Sequence, residues 1–124
     1  MTGVVIEDAS DLHIALDHLH DRWFDLEAVV FDRARMEVTF PFWSNPGWRS
    51  PRDRSTGAPK PFDRVMTVRH VLDYVVSDTE HIAVYSFSDM KFADGSIAIR
   101  ADPKLTIQMR VERLEIHLEE IHQL

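Results

Sequence analysis

The first regular pattern along the chain is an apolar stripe. Leu12, Leu16, Leu19 and Trp23 fall at i, i+4, i+7 and i+11, with Ala15 beside them. That spacing predicts an amphipathic helix over 10–23. Asp8 or Ser10 is placed to cap it, and Asp11 lies near the positive end of its dipole. The period then shortens to two. Residues 23–31 are rich in β-formers, Asp32-Arg33-Ala34-Arg35 is a polar turn, and Met36, Val38, Phe40 and Phe42 alternate with Glu37 and Thr39. A hairpin with one packed and one wet face follows. Pro41 has no amide proton to give a ladder, which marks its strand as an edge or as a strand about to stop.

Residues 44–61 hold four prolines and two glycines and show no period, so they form a loop longer than compact domains usually carry. In 62–76 the positions Val68, Val71, Leu72, Val75 and Val76 fit a helical stripe, but the many valines and Thr67 favour a strand. Apolar residues at both parities place that strand at the centre of a sheet. Ser77-Asp78-Thr79-Glu80 turns the chain into a strand over 82–92, and Asp94-Gly95 is a two-residue hairpin signal leading into 96–100. Asp102-Pro103-Lys104 turns again, and Leu105, Ile107, Met109 and Val111 alternate. Leu114, Ile116 and Leu118 continue with the opposite parity, which a bulge near Glu112-Arg113 would absorb; a helix starting there is the alternative. The pattern predicts a single α+β domain over 1–124 with a long Pro/Arg-rich loop at 44–61. In it, an N-terminal helix packs on a mainly antiparallel, twisted or curled sheet of about six strands joined as a meander.

Composition narrows the function. With 124 residues, 44% of them apolar, the chain is large enough for one core and too small for two domains. The absence of cysteine excludes disulfide frameworks, thiolate zinc sites and cysteine nucleophiles. A formal charge of −7 argues against nucleic acid and anionic lipid as partners. The acidic N-terminus is unlike a signal peptide, and no apolar run exceeds four residues, so a cytoplasmic protein without membrane contact is expected. Neither a Gly-x-Ser-x-Gly elbow nor a Gly-x-x-x-x-Gly-Lys loop occurs, and no catalytic residue or cofactor is nominated.

Two places carry candidate chemistry. On the predicted helix, His13, Asp17 and His20 fall at i, i+4 and i+7, so two imidazoles and a carboxylate on one flank would offer ligands to a divalent metal. The plain alternative is a solvated flank with His13 and Asp17 paired one turn apart. Asp21 and Asp25 follow where the helix passes into a strand, and with His20 they would stand at the mouth of a pocket between helix and sheet. The C-terminal His117 and His122 are five apart, where a zinc-binding helix needs four. The second place is the loop, where Arg49, Arg52, Arg54 and Lys60 against Asp53 give a local charge of +3 and leave −10 for the rest of the chain. Trp48 sits among these arginines, and exposed Arg and Trp recur as interface hot spots. Trp48, Arg49, Arg52 and Arg54 are therefore the candidate partner-binding residues, unless the arginines fold back onto the protein's own acids. Phe40, Phe42, Tyr85, Phe87 and Phe92, at strand parity, fill a core or line a pocket.

Leu19-His20-Asp21 entering a strand through Trp23 resembles the His-Asp step that opens small uncharacterised bacterial domains, some of toxin-immunity type. Val68-Arg69-His70-Val71, followed by Val76, Asp78 and Ile82, is similar to their middle strand and turn. The resemblance implies a non-enzymatic protein that binds another protein, with His20 and Asp21 at a structural junction; the long basic loop departs from it. Residues and resemblance together lead to a protein-binding or self-associating module, a homodimer being one form. The alternative is a small-ligand or metal-binding pocket protein, with catalysis open. Charging all seven histidines would bring the formal charge from −7 to 0, so solubility should fall as pH drops from about 7 to about 5. A precipitant titration across that range checks this, and unchanged solubility would count against it.

Overall fold

A computed structural model describes residues 3–46 and 61–121. The candidate residues Trp48, Arg49, Arg52 and Arg54 lie outside the described residues. Among the described residues there are ten strands and one α-helix: β1 (Val4–Ile6), α1 (Leu12–Leu19), β2 (Arg22–Asp25), β3 (Val30–Asp32), β4 (Glu37–Pro46), β5 (Arg64–Val68), β6 (Val71–Asp78), β7 (Val84–Ala93), β8 (Ser96–Asp102), β9 (Leu105–Val111) and β10 (Ile116–Glu120). Single 3-10 turns precede α1 (Ala9–Asp11) and β3 (Leu26–Ala28). All strands join one antiparallel sheet in the order β1-β10-β5-β4-β2-β7-β8-β9-β6, with β3 also on β4. Among the described residues no helix is long and apolar enough to cross a membrane.

The class is as the pattern predicts, a helix on a mainly antiparallel sheet, but the sheet has ten strands rather than six. Three of the expected strands are each broken in two. The run 23–31 is interrupted by the Leu26–Ala28 turn, whose start is capped by the Asp25 carboxylate accepting from the Glu27 amide at 2.9 Å. The run 62–76 breaks at Arg69-His70, where His70 takes a φ of 59°, so it is neither one strand nor wholly central: β5 is interior, but β6 ends the sheet. The parity slip after Val111 is a break rather than a bulge, because β9 and β10 lie in different parts of the sheet. The short β1 has no sequence signal of its own and pairs Val4, Val5 and Ile6 with Leu118, His117 and Ile116. β7, β8 and β9 form one meander, the first two joined by Asp94 and Gly95, both at positive φ as the hairpin requires, and β3, β4 and β5 are likewise consecutive antiparallel neighbours.

The helix is also shorter than its stripe. It ends at Leu19, and Asp21 turns the chain at a φ of 65° with its amide donating to the Phe87 carbonyl at 2.9 Å. Trp23 is thereby drawn into β2, opposite Trp43 and Ser86; ladder pairing on both sides outweighs one more helical turn. Asp8 caps the 3-10 turn through the Ser10 amide, not α1 itself. The strand that holds Pro41, β4, proves interior and runs on to Pro46, into the segment expected as loop. It pairs β5 on one side; on the other, β3 covers it up to Thr39 and β2 from Phe42 onward, so Pro41 faces the gap between them.

The core is built from inward rows that run across strands. Val4, Leu118, Met66 and Phe40 are successive partners, as are Ile97, Met109 and Tyr74 in the other half of the sheet. The two halves meet at Phe24 of β2. Its ring stacks on Phe87 at 4.2 Å and meets Phe40 edge-on at 6.2 Å, while Phe42 meets Phe87 edge-on at 5.8 Å. Phe40, Phe42, Tyr85 and Phe87 are thus core residues. Replacing Phe24 by Ala should cost about 3–5 kcal/mol of stability, whereas Val30→Ala on the exposed side of β3 should change it by less than about 0.5 kcal/mol. Urea titrations of both variants check this, and equal losses would count against the knot.

Candidate functional site

The residues nominated on the helix do not converge. His13 is exposed and places its Nδ1 3.0 Å from the carbonyl of Ser10. Asp17 is exposed, and His20 has left the helix to pair with Asp21 at 3.3 Å. Asp25 is committed to the turn it caps. Among the described residues no group of three or more His, Asp or Glu side chains is arranged to hold a metal. The physical reason is the early helix end: with His20 extended, the i, i+4, i+7 spacing no longer describes one face.

What the fold does leave open is an edge. β6 ends the strand order and pairs only with β9 among the described residues, through Asp73 to Asp78 opposite Arg110 to Leu105. The other strands with a free side, β1 and β3, have three residues each, whereas β6 has eight. Strand edges are usually blunted by shortness, by Lys or by Pro. β6 reads VLDYVVSD, with neither Lys nor Pro. Its inward residues Tyr74 and Val76 pack on the core, while Leu72 and Val75 are 43% and 50% exposed. Val30 of β3 is 56% exposed and Ile82, after β6, 51%. The curl of the sheet brings β3 toward this edge: the Phe31 and Tyr74 rings lie 5.9 Å apart, and the Val71 amide donates to the Met36 carbonyl at 2.8 Å. No ladder joins the two strands among the described residues.

Two carboxylates hold the ends of β6. At its start, the buried Glu115 accepts from His117 Nε2 at 2.7 Å, from His70 Nε2 at 2.9 Å and from Arg69 Nη1 at 3.2 Å, with Arg113 Nη2 at 3.7 Å. The backbone completes this corner, since the Arg69 amide donates to the Glu115 carbonyl and the Glu112 amide to the His70 carbonyl, both at 2.9 Å. The hydrogen bonds from His117 and His70 hold the Glu115 carboxyl down to about 2, against the cost of burial. At the far end, Asp78 accepts from the Tyr85 hydroxyl and from the His81 amide at 3.1 Å, and the Ile82 amide donates to the same hydroxyl at 3.2 Å. The Tyr85 hydrogen bond lowers the Asp78 carboxyl, while burial, then Asp78, raises the Tyr85 phenol. The strand is thus pinned at both ends, and between them no second strand pairs its outer side among the described residues.

A separate cleft of about 280 Å³ lies between α1 and the sheet, lined by Val4, His18, Phe42, Arg64, Leu118, Glu119 and Glu120. Arg64 is already ion-paired with Glu120. None of His13, Asp17, His20, Asp21 and Asp25 lines it.

Sequence reasoning missed Leu72, Val75 and Glu115. The signal for the first two was present, as apolar residues at both parities of one run; that reads equally as a strand buried on two faces or as an edge with a bare side. Glu115 was missed because His117 and Arg113 beside it read as ordinary polar neighbours, and its other partners, Arg69 and His70, are more than forty positions away.

Because Glu115 titrates near 2 when folded and near 4.5 when free, its contribution is complete above about pH 4.5 and is lost as pH falls toward 2. Glu115→Gln should therefore lower stability at pH 7 by about 1–3 kcal/mol and flatten the acid limb of the stability curve. Urea midpoints from pH 7 to pH 2 test this; an acid limb as steep in the variant as in the parent would refute the role given to Glu115.

No protein-family model matches the chain, and no curated protein matches it. A solved structure described as an uncharacterized protein from Neisseria gonorrhoeae aligns with a TM-score of 0.42 and 12% sequence identity, covering 98% of this chain and all of that one.

Proposed function

We propose that the chain is a non-enzymatic protein-binding module that takes up a polypeptide segment as an added strand along β6. The observation that carries this reading is an eight-residue edge strand that no second strand pairs among the described residues, with two exposed apolar side chains. Main-chain groups along such an edge provide affinity, and alternate side-chain positions provide selectivity. Fixing the strand at both ends lowers the ordering cost of the added segment, because one side of the new ladder is already set. The basic loop residues Trp48, Arg49, Arg52 and Arg54 are proposed as a second contact, on their sequence alone. A small-ligand reading has the cleft beside α1 in its favour, but its volume falls just below the usual range for ligand pockets and its guanidinium is occupied.

Lysine on the edge opposes strand addition without disturbing the inward face. Proteins retained in near-stoichiometric amounts by the immobilised chain should be lost, by about tenfold or more, on Leu72→Lys/Val75→Lys, a change of roughly 1.4 kcal/mol. Undiminished retention by that variant would overturn the edge as the site. Loss only on Arg49→Ser/Arg52→Ser/Arg54→Ser would move the site to the loop.

A further inference from the structure

We infer that the strand docking on β6 is basic, with a Lys or Arg placed against Asp73 and apolar residues against Val75 and its neighbours; this rests on the edge-addition reading above. The formal charges on β6 and just after it are carboxylates, with His81 3.8 Å from Asp78, while Arg69 and Arg113 at its start are taken up by Glu115. β6 itself holds Asp73 and Asp78 and no cation, and Glu80 follows it. Asp73 is exposed, accepting only from the Tyr74 amide at 3.1 Å among the described hydrogen bonds. Arg110 faces Asp73 from β9, on the side already paired, and Lys104 lies 3.8 Å from Glu80. On β3, whose Phe31 approaches Tyr74, Asp32 is engaged by Arg35, and Arg33 lies over the Phe31 ring at 5.0 Å; Asp25 and Glu27 form the turn before it. Behind all of these is a chain of net charge −7.

A second copy fits this edge poorly. Two β6 strands side by side bring their carboxylates together with no cation on either strand, and both chains carry the same net charge. A partner of opposite sign gains instead from cross-strand attraction at Asp73 and from long-range steering. The side-chain order follows from the register. The outward positions of β6 are Asp73, Val75 and Ser77, opposite Arg110, Gln108 and Thr106, and the inward ones include Tyr74 and Val76. An antiparallel partner therefore presents a cation against Asp73, apolar residues against 74 to 76, a small polar residue against Ser77, and a second cation toward Glu80.

The test uses the full chain and three blocked peptides in titration calorimetry at low and high salt. The first is Arg-Thr-Val-Tyr-Val-Arg, the second Glu-Thr-Val-Tyr-Val-Glu, and the third Arg-Thr-Pro-Tyr-Pro-Arg, which lacks the amides a ladder needs. The first should bind one to one, weaken with salt, lose about tenfold or more on Val75→Lys, and exceed the other two by about tenfold. Equal binding of the first and second would overturn the basic partner while leaving strand addition intact. Equal binding of the first and third would show charge attraction alone and overturn strand addition. Binding of none, with the chain sedimenting as a dimer or as a monomer, would overturn both.

Discussion

The constraint on which the rest of this structure depends is coverage: an eight-residue helix has to share one core with ten strands. The helix buries only Leu12, Ala15 and Leu19, so among the described residues the apolar faces of the strands are covered mainly by one another. The sheet curls, and the two halves meet across Phe24, Phe40 and Phe87. Each strand then needs one wet face, which the outward rows supply. Val5, His117, Thr67, Thr39 and Val30 form one such row across five strands, and Val75, Gln108, Ala98 and Lys91 form another. The curl brings two strands with a free side, β3 and β6, near each other.

How that opening is kept in shape is a question of buried charge. A carboxylate removed from water is costly unless its oxygens are satisfied, and Glu115 has two imidazoles and a guanidinium in hydrogen-bond range. The arrangement requires His70 at a φ of 59°, a left-handed conformation that a residue with a Cβ adopts at a cost of order 1 kcal/mol. The turn accepts this because its backbone carbonyl and its imidazole are both used, one by Glu112 and the other by Glu115. The Asp78–Tyr85 pair does the corresponding work at the other end of β6. Both networks link positions at which the chain changes direction, so they fix where β6 starts and stops rather than how its middle behaves.

Local alternation was legible in the sequence and long-range order was not. The hairpin at Asp94-Gly95, the turn after Asp32 and the clean alternation of Leu105 to Val111 are short-range features with their own turn chemistry, and each is present. The breaks at Arg69-His70 and at 112–115 are set by contacts between those two segments, more than forty residues apart, and single-strand periodicity carries no trace of them. The helix stripe misled at its end for the same reason: Trp23 continues the helical spacing, but its partners in the sheet are Trp43 and Ser86. The flank of His13, Asp17 and His20 depended on that extra turn, and without it His20 leaves the set. Pro41 misled in the opposite direction, since the gap between β2 and β3 lets a proline sit inside the sheet.

The long edge of β6, unpaired among the described residues, is a hazard in principle, because unpaired strand edges template aggregation. Three features of this chain act against that outcome without covering the edge. The register slips between Val71 and Asp73, which disturbs the ladder where a copy would begin to pair. Asp73 projects beside the exposed Val75 on the outward face, and the chain as a whole is acidic. Each of these devices works against a second acidic copy, and the two electrostatic ones do not work against a cationic strand. Protection from self-pairing and preference for a basic partner are then one electrostatic property, seen from two sides.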